Sequence, residues 1–145
     1  MNTVAIFRWT GTLPTDEEVA EPAIRYSRDF GEQWAYQAGL PVASSLLESV
    51  RHLGHETDDR PYYGDGAWHF TIDLEEGSFS VTVLWIPKGE NNDYFAVQPS
   101  LRRGCLASLF VPPPPEAALR PICSVLQTAL ADLSPIEELE WVREI

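Results

Sequence analysis

The stretch from Ala67 to Ile86 constrains the fold of this 145-residue chain most, because it contains two strand patterns in immediate succession. Large apolar residues alternate with more polar ones up to Leu74 and again from Phe79, which is the period of a strand buried on one face. Gly77 lies in the break between the two patterns and suits a tight turn. We therefore predict an antiparallel hairpin with both apolar sets on one face. The expected register pairs Leu74 with Phe79, Ile72 with Val81, Phe70 with Val83 and Trp68 with Trp85.

The segments before this hairpin predict one strand and two helices. Thr3 to Trp9 is short, apolar and β-prone, as strands are. From Pro22 to Ala38 aromatic residues recur at every fourth position, which is typical of one helical face. Gly39-Leu40-Pro41 predicts a turn. Ser45-Leu46-Leu47-Glu48 has the spacing of a capping box, so we expect a second, short helix to begin there and to end before Gly54.

Three further segments flank the hairpin. His55 to Gly66 has neither the helical nor the strand period, and we predict that it is a loop. Tyr94 to Gln98 predicts a third strand, and Leu101 to Val111 is expected to contain a fourth.

The C-terminal third predicts a connector and two helices. Pro112 to Pro115 cannot donate ladder or helix hydrogen bonds, so we expect a stiff polyproline II connector. Glu116 to Ala131 has an apolar helical face. Ser134-Pro135-Ile136-Glu137 is a capping box with proline at the first helical position, which predicts a short final helix.

These elements predict one α+β domain that spans residues 1–145. We expect an antiparallel sheet of about four strands, built around the central hairpin 67–86. N- and C-terminal helices should pack on one face of this sheet. The other face carries His69, Thr71 and Asp73, and is predicted to be the more polar one.

The net charge of −12 is the strongest functional indication in the composition. Such a chain repels nucleic acid and anionic membranes and attracts basic proteins, although an acidic surface also serves simply to keep a protein soluble. No apolar run approaches the ~20 residues that span a bilayer, and the N-terminus has no signal-peptide pattern. Cys105 and Cys123 do not make a disulfide framework. We therefore expect a cytoplasmic protein with reduced thiols.

The loop from Glu56 to Asp65 is the predicted partner-binding site. Tyrosines that are surrounded by carboxylates are typical of protein-binding surfaces, since the rings anchor a partner and the acids steer a basic one. The alternative is that the tyrosines pack on the sheet edge and the acids only face water. The predicted site residues are Glu56, Asp58, Asp59, Tyr62, Tyr63 and Asp65.

Catalytic patterns are weak in this sequence. No serine or cysteine lies in a nucleophile motif, and the glycines lack the spacing of a phosphate-binding loop. His52 and His55 have metal-ligand chemistry, with His69 as a third candidate, but Gly54 interrupts the helical spacing of the first two. We predict no catalytic residue, no metal site and no cofactor. Two alternatives stay open, a small metal-dependent hydrolase and a small-molecule-binding module with an aromatic pocket of at least ~300 Å³.

In size, charge, thiol content and its acidic loop with two tyrosines, the chain resembles the small acidic immunity proteins of bacterial polymorphic-toxin and contact-dependent systems. The resemblance implies a compact cytosolic domain that occupies or caps the active site of a cognate toxin. It lies in general make-up and not in a family motif, so no site residue is carried over from it. Secretion chaperones of bacterial needle systems are similar in size and charge. We predict a binding protein without catalysis of its own, which neutralises or escorts a basic protein partner such as a toxin domain.

Overall fold

Seven strands in one antiparallel sheet and two α-helices make up the fold in the computed structural model, which describes residues 1–14, 30–102 and 116–144. The helices are α1 (Phe30–His52) and α2 (Arg120–Ala131), and a 3₁₀ turn, Glu116–Leu119, leads into α2. The strands are β1 (Val4–Trp9), β2 (Glu56–Thr57), β3 (Tyr62–Gly64), β4 (Ala67–Leu74), β5 (Gly77–Trp85), β6 (Tyr94–Leu101) and β7 (Ile136–Val142).

The strand order is β2-β4-β5-β6-β1-β7, and β3 also pairs with β4. The α+β class and the antiparallel sheet are thus confirmed. The sheet has seven strands where about four were predicted, partly because the predicted loop from His55 to Gly66 contributes β2 and β3. The predicted final helix is also a strand, β7. The helices follow β1 and precede β7, so they are not strictly N- and C-terminal.

The central hairpin forms with the predicted faces but with a register shifted by two residues. Ile72 pairs with Phe79, and Leu74 pairs with Gly77, where Val81 and Phe79 were the predicted partners. Only Glu75 and Glu76 form the loop, and Gly77 follows it with φ of 145°. Because two residues are one full strand period, the same side chains face the core in either register.

Helix α1 runs without a break through the turn that was predicted at Gly39-Leu40-Pro41, and through the predicted helix start at Ser45. A proline inside a helix costs ~3 kcal/mol, but the residues around Pro41 bury a continuous apolar face against the sheet. The buried residues of this face include Trp34, Ala38, Val42, Leu46 and Val50. The packing of this apolar face therefore outweighs the low local helix propensity and sets the length of the helix.

The end of α1 agrees with the prediction for Gly54. This residue has φ of 94°, and its N–H donates to the carbonyl of Arg51 at 2.9 Å. The N–H of His55 lies 3.5 Å from the carbonyl of Val50. These two contacts are those of a Schellman cap, which only a residue that tolerates positive φ closes without strain.

Strand β7 stands where the capping-box pattern predicted a helix. It pairs with β1 along its length, with Ile136 beside Trp9 and Trp141 beside Ala5. An irregularity in the register accompanies Glu138, which has φ of 55°. The pairing with β1 supplies the backbone partners that a short isolated helix would lack, so tertiary context overrides the local pattern.

The hydrophobic core lies between α1, α2 and one face of the sheet, here called the helix face. Phe7, Phe70, Phe79 and Phe95 are all fully buried there. Helix α2 confirms the helix predicted for Glu116 to Ala131, with Pro121 in its first turn. In the described part of the chain, no helix is both long and apolar enough to cross a membrane.

Three predictions lie wholly or partly outside the described residues. They are the start of the helix at Pro22, the strand within Leu101 to Val111 beyond Arg102, and the connector Pro112 to Pro115.

Candidate functional site

The predicted site forms one edge of the sheet, made of β2, β3 and the residues between them. Both short strands pair with β4: Glu56 lies opposite Asp73, and Tyr62 lies opposite His69. Among the described residues no further strand lies beyond them. Pro61 is buried between the two strands and cannot donate a ladder hydrogen bond. The edge is therefore short and interrupted, which blunts it against unspecific strand pairing.

Asp58 stabilises the break between β2 and β3. Its carboxylate Oδ2 accepts a hydrogen bond of 2.8 Å from the N–H of Thr71, and its own N–H donates to the carbonyl of Thr71 at 3.3 Å. The side chain thus replaces a backbone carbonyl at the point where β2 leaves the ladder. Asp58, predicted as a steering charge, is therefore engaged with the backbone of β4.

A two-residue turn joins β3 to β4. Gly64 pairs with Ala67, and Asp65 and Gly66 between them have φ of 52° and 76°. Positive φ at both positions is the conformation that Asp-Gly favours in hairpins. The sequence carried this signal, and the prediction of a loop overlooked it. The turn exposes the side chain of Asp65 at the corner of the sheet.

Tyr62 points to the face of the sheet away from the helices, here called the second face, because it lies opposite His69. Its side chain is 54% exposed, and its ring stacks on the imidazole at 5.2 Å between centroids. Nε2 of His69 lies 2.8 Å from the carbonyl of Gly64, so this nitrogen carries a proton and donates it. Nδ1 lies 3.0 Å from the hydroxyl of Thr82. A fixed imidazole therefore orients the exposed phenol.

Tyr63 points to the helix face, as strand alternation requires. Its ring meets Tyr36 of α1 edge-on at 5.0 Å and Trp68 at 5.3 Å. Nε1 of Trp68 donates to the carbonyl of Tyr36 at 2.8 Å, which ties the helix to the strand. Tyr63 is half-buried in this cluster. The two tyrosines, predicted as one surface, thus lie on opposite sides of the sheet edge.

Glu56 and Asp59 are exposed on this edge. The guanidinium of Arg51 lies 3.4 Å from Asp59, but the carboxylate is fully exposed, so the ion pair contributes little to stability. Arg60 is also exposed. The edge therefore presents carboxylates that a cationic partner reaches without first displacing a buried salt bridge.

Tyr36 and Leu40 belong to the same region and were missed from the sequence. They are 48% and 40% exposed and lie four residues apart on α1, so they share one helical face. The helical period of α1 is the signal that would have found them. The turn predicted at Gly39-Leu40-Pro41 cut that period in two.

The three histidines do not meet. His52 lines a cleft of about 460 Å³ between α1 and the segment after α2, with Glu48 and Asp132. His55 lines a different cleft of about 370 Å³ beside the tip of the β4–β5 hairpin. His69 lies on the second face, and within residues 1–14, 30–102 and 116–144 no group of three potential ligands is placed to hold a metal. The convergence that a metal-dependent hydrolase needs is not found there.

Cys123 is a free, half-buried thiol on α2. Burial raises the pKa of this thiol, which lowers the fraction of the nucleophilic thiolate at neutral pH. Cys105, the other thiol, lies outside the described residues. The environment of Cys123 is thus that of a structural cysteine.

Three of the five tryptophans fill the core, and Trp141 lines a cleft of about 210 Å³ together with Asn2, Cys123 and Gln127. Trp9, Trp34 and Trp68 are each at most 6% exposed. Nε1 of Trp34 donates to the carbonyl of Asn92 at 3.0 Å, and Trp85 donates to the same carbonyl. The described residues that line the clefts of about 460 and 370 Å³ include no aromatic ring other than the imidazoles. An aromatic pocket therefore has no counterpart in these clefts.

In the described part of the chain, the acidic, tyrosine-bearing edge combines an exposed tyrosine with exposed carboxylates. The chain matches no protein-family model, no curated protein and no solved structure.

Proposed function

We propose that this chain is a non-catalytic binding protein that neutralises or escorts a basic protein partner, as immunity proteins do. The observation that carries the proposal is the side chain of Tyr62, which is more than half exposed and yet held by stacking on His69. An oriented, exposed phenol loses little conformational entropy when a partner covers it.

Charge supports the choice of a basic partner. The segment from Glu56 to Asp65 contains four carboxylates and the single cation Arg60, and the whole chain has a net charge of −12. Such a field accelerates the association of a cationic protein and repels anionic ones. The engaged Asp58 contributes to the field through its charge, while Glu56, Asp59 and Asp65 are exposed enough for direct contact.

Affinity isolation from the source cell tests this proposal. The full chain is used as bait at ~0.05 M and at ~0.3 M salt, and retained proteins are identified by mass spectrometry. We expect one stoichiometric basic protein that is retained at low salt and released at the higher concentration. The purified pair is then measured by calorimetry, where Tyr62→Ala should weaken binding by about 2–4 kcal/mol, as for a hot-spot tyrosine.

Two matched variants distinguish the contribution of the edge carboxylates to binding from the contribution of net charge alone. Asp59→Asn removes an edge carboxylate, and Glu144→Gln removes an exposed carboxylate near the C-terminus, so the two change net charge equally. The former should weaken binding more than the latter. If no basic protein is retained at low salt, or if Tyr62→Ala binds as tightly as the unchanged chain, the proposal is wrong.

A further inference from the structure

Three side chains on the helix side of the edge, two of them exposed and one half-buried, form a second apolar surface, here called the α1 patch (Tyr36, Leu40 and Tyr63). Tyr36 and Leu40 are two of the four large apolar or aromatic residues that are clearly exposed in the described chain. Tyr63 adjoins Tyr36 through an edge-on ring contact, and Leu40 lies one helical turn after Tyr36. Adjoining rings that are at least partly exposed are typical of contact surfaces.

The two tyrosine rings of the α1 patch are held in place by their neighbours. The ring of Tyr36 lies 5.3 Å from that of Trp68, and Trp68 is itself 6% exposed and hydrogen-bonded to the backbone of Tyr36. Tyr63 packs against both rings. A partner that covers the two tyrosines therefore loses little conformational entropy in ordering them, because the free protein already holds both rings in place.

Two occupants could cover the α1 patch, a second copy of this chain or a segment of a different protein, and charge favours the second. A second copy of this chain would bring two net charges of −12 together, and their repulsion opposes association. A cationic segment meets no such repulsion, and it gains attraction from the exposed acids Glu56, Asp59 and Asp65 along the same sheet edge.

We propose that the α1 patch is the apolar half of the partner-binding site. Its occupant is a positively charged segment of the partner protein that places a large apolar side chain against Tyr36, Leu40 and Tyr63. The arginines or lysines of that segment lie against the exposed edge carboxylates. This inference rests on the proposed function and adds to it the surface on α1 and the chemistry of the bound segment.

Selection of peptides from a random display library against the full chain tests the inference. We expect the enriched peptides to combine several arginines or lysines with a tryptophan, phenylalanine or leucine. Leu40→Asp should weaken their binding about tenfold or more. This change adds a negative charge, so a purely electrostatic attraction would become stronger, and a loss of binding reports the apolar contact.

Leu53→Asp is the matched control, because Leu53 is 37% exposed at the far end of α1 and the change adds the same charge. Its peptide affinity should equal or slightly exceed that of the unchanged chain. Tyr36→Ala provides a second variant with no change of charge, and it should also weaken binding. Circular dichroism melts of all three variants check that each is folded.

Four results would overturn the inference. They are an empty selection, enriched peptides without basic residues, peptides that bind Leu40→Asp unchanged, and a dimer in sedimentation equilibrium that Leu40→Asp dissociates, since the occupant would then be a second copy. If the cellular partner depends on Tyr62 and Asp59 but not on Leu40, the inference fails while the proposed function stands. If Leu40-dependent basic peptides are enriched but the cell yields no basic partner, the docking surface stands and the proposed function fails.

Discussion

At the scale of single residues, the hydrogen bond between Tyr94 and Glu138 links β6 to the irregular part of β7 across the second face. The phenol donates to Oε2 of Glu138 at 2.5 Å. The pKa of Tyr94 is raised above the ordinary value of 10.0, chiefly by this hydrogen bond and then by desolvation and the charge of Glu138. A phenolate could not donate this bond and would face the carboxylate as a like charge.

Replacing Glu138 should therefore lower the pKa of Tyr94 toward its ordinary value. Glu138→Gly removes the acceptor and suits the φ of 55° at this position. Because the folded state of the unchanged chain holds the phenol proton more tightly, this contribution to stability is present below pH 10.0 and is lost as the pH rises through the raised pKa. Absorbance titration of tyrosinate should show one of the five tyrosines titrating earlier in the variant.

Glu140→Ala is the control for this titration. It removes an exposed carboxylate from the same strand, at a position that pairs with Ile6 and takes no part in the hydrogen bond to Tyr94. Its titration should match that of the unchanged chain. If Glu138→Gly also titrates as the unchanged chain does, the hydrogen bond does not hold the phenol proton in solution.

At the scale of elements, Gly39 explains how α1 approaches β4 so closely. A Cβ at this position would lie 2.8 Å from Cδ1 of Trp68. The indole cannot move away cheaply, because it is buried and its Nε1 is hydrogen-bonded to the backbone of Tyr36. The glycine costs the helix about 1 kcal/mol in propensity and leaves room for the ring that orders the α1 patch.

Gly39→Ala should therefore destabilise the protein despite the better helix propensity of alanine. Overpacking in a core costs ~1–3 kcal/mol, which offsets or exceeds the gain from propensity. We expect a net loss on the order of 1 kcal/mol in the free energy of unfolding, measured by urea denaturation. In a Trp68→Leu background, Gly39→Ala should raise the free energy of unfolding. If it instead lowers this free energy by the same amount as in the unchanged chain, the clash with Trp68 is not the cause.

The elements that were predicted from the sequence are those whose pattern and packing agree. The segment from Thr3 to Trp9 is apolar and β-prone, while the central hairpin has a strand period and the segment from Glu116 to Ala131 has an apolar helical face. The end of the helix before Gly54 was also predicted, since glycine is common at the position that follows the last helical turn.

The elements that were missed are those where burial outweighs local signals. Pro41 predicted a turn, but the apolar face of α1 continues on both sides of it and is buried. Ser134-Pro135-Ile136-Glu137 predicted a helix, but β1 offers an open edge with which this segment pairs as β7. Both outcomes depend on a partner that is distant in sequence, so a local pattern does not contain them.

The geometry of the candidate site was not predicted from the sequence. The segment from Glu56 to Asp65 was predicted to be a loop, but it forms an edge of the sheet, with Tyr62 exposed and its two tyrosines on opposite sides. That split follows from β3 being a strand, and the Asp-Gly turn was the signal for it. Tyr36 contacts Tyr63 only because α1 passes beside β3, which depends on the tertiary structure.

At the scale of the whole molecule, the excess of acidic residues acts on folding and on binding in opposite ways. The chain has 22 acidic and 10 basic residues, so the folded state repels itself more than the expanded one does. Several of the ion pairs in the described part of the chain involve exposed groups and contribute little. The same field that opposes compaction attracts a cationic partner.

Salt should therefore stabilise the free protein and weaken its complex. Raising the salt concentration from ~0.02 M to ~0.5 M screens the repulsion, and each kcal/mol gained raises the melting temperature by about 4 °C. Near pH 4.5, the isoelectric point, the same step should leave the melting temperature almost unchanged, which separates screening from a general effect of salt on hydrophobic burial. A melting temperature that falls with salt at pH 7 would mean that attractive pairs dominate the surface, and the argument for electrostatic steering of a basic partner would lose its basis. A rise in stability together with a fall in partner affinity over one salt series is the signature expected of an acidic binding protein.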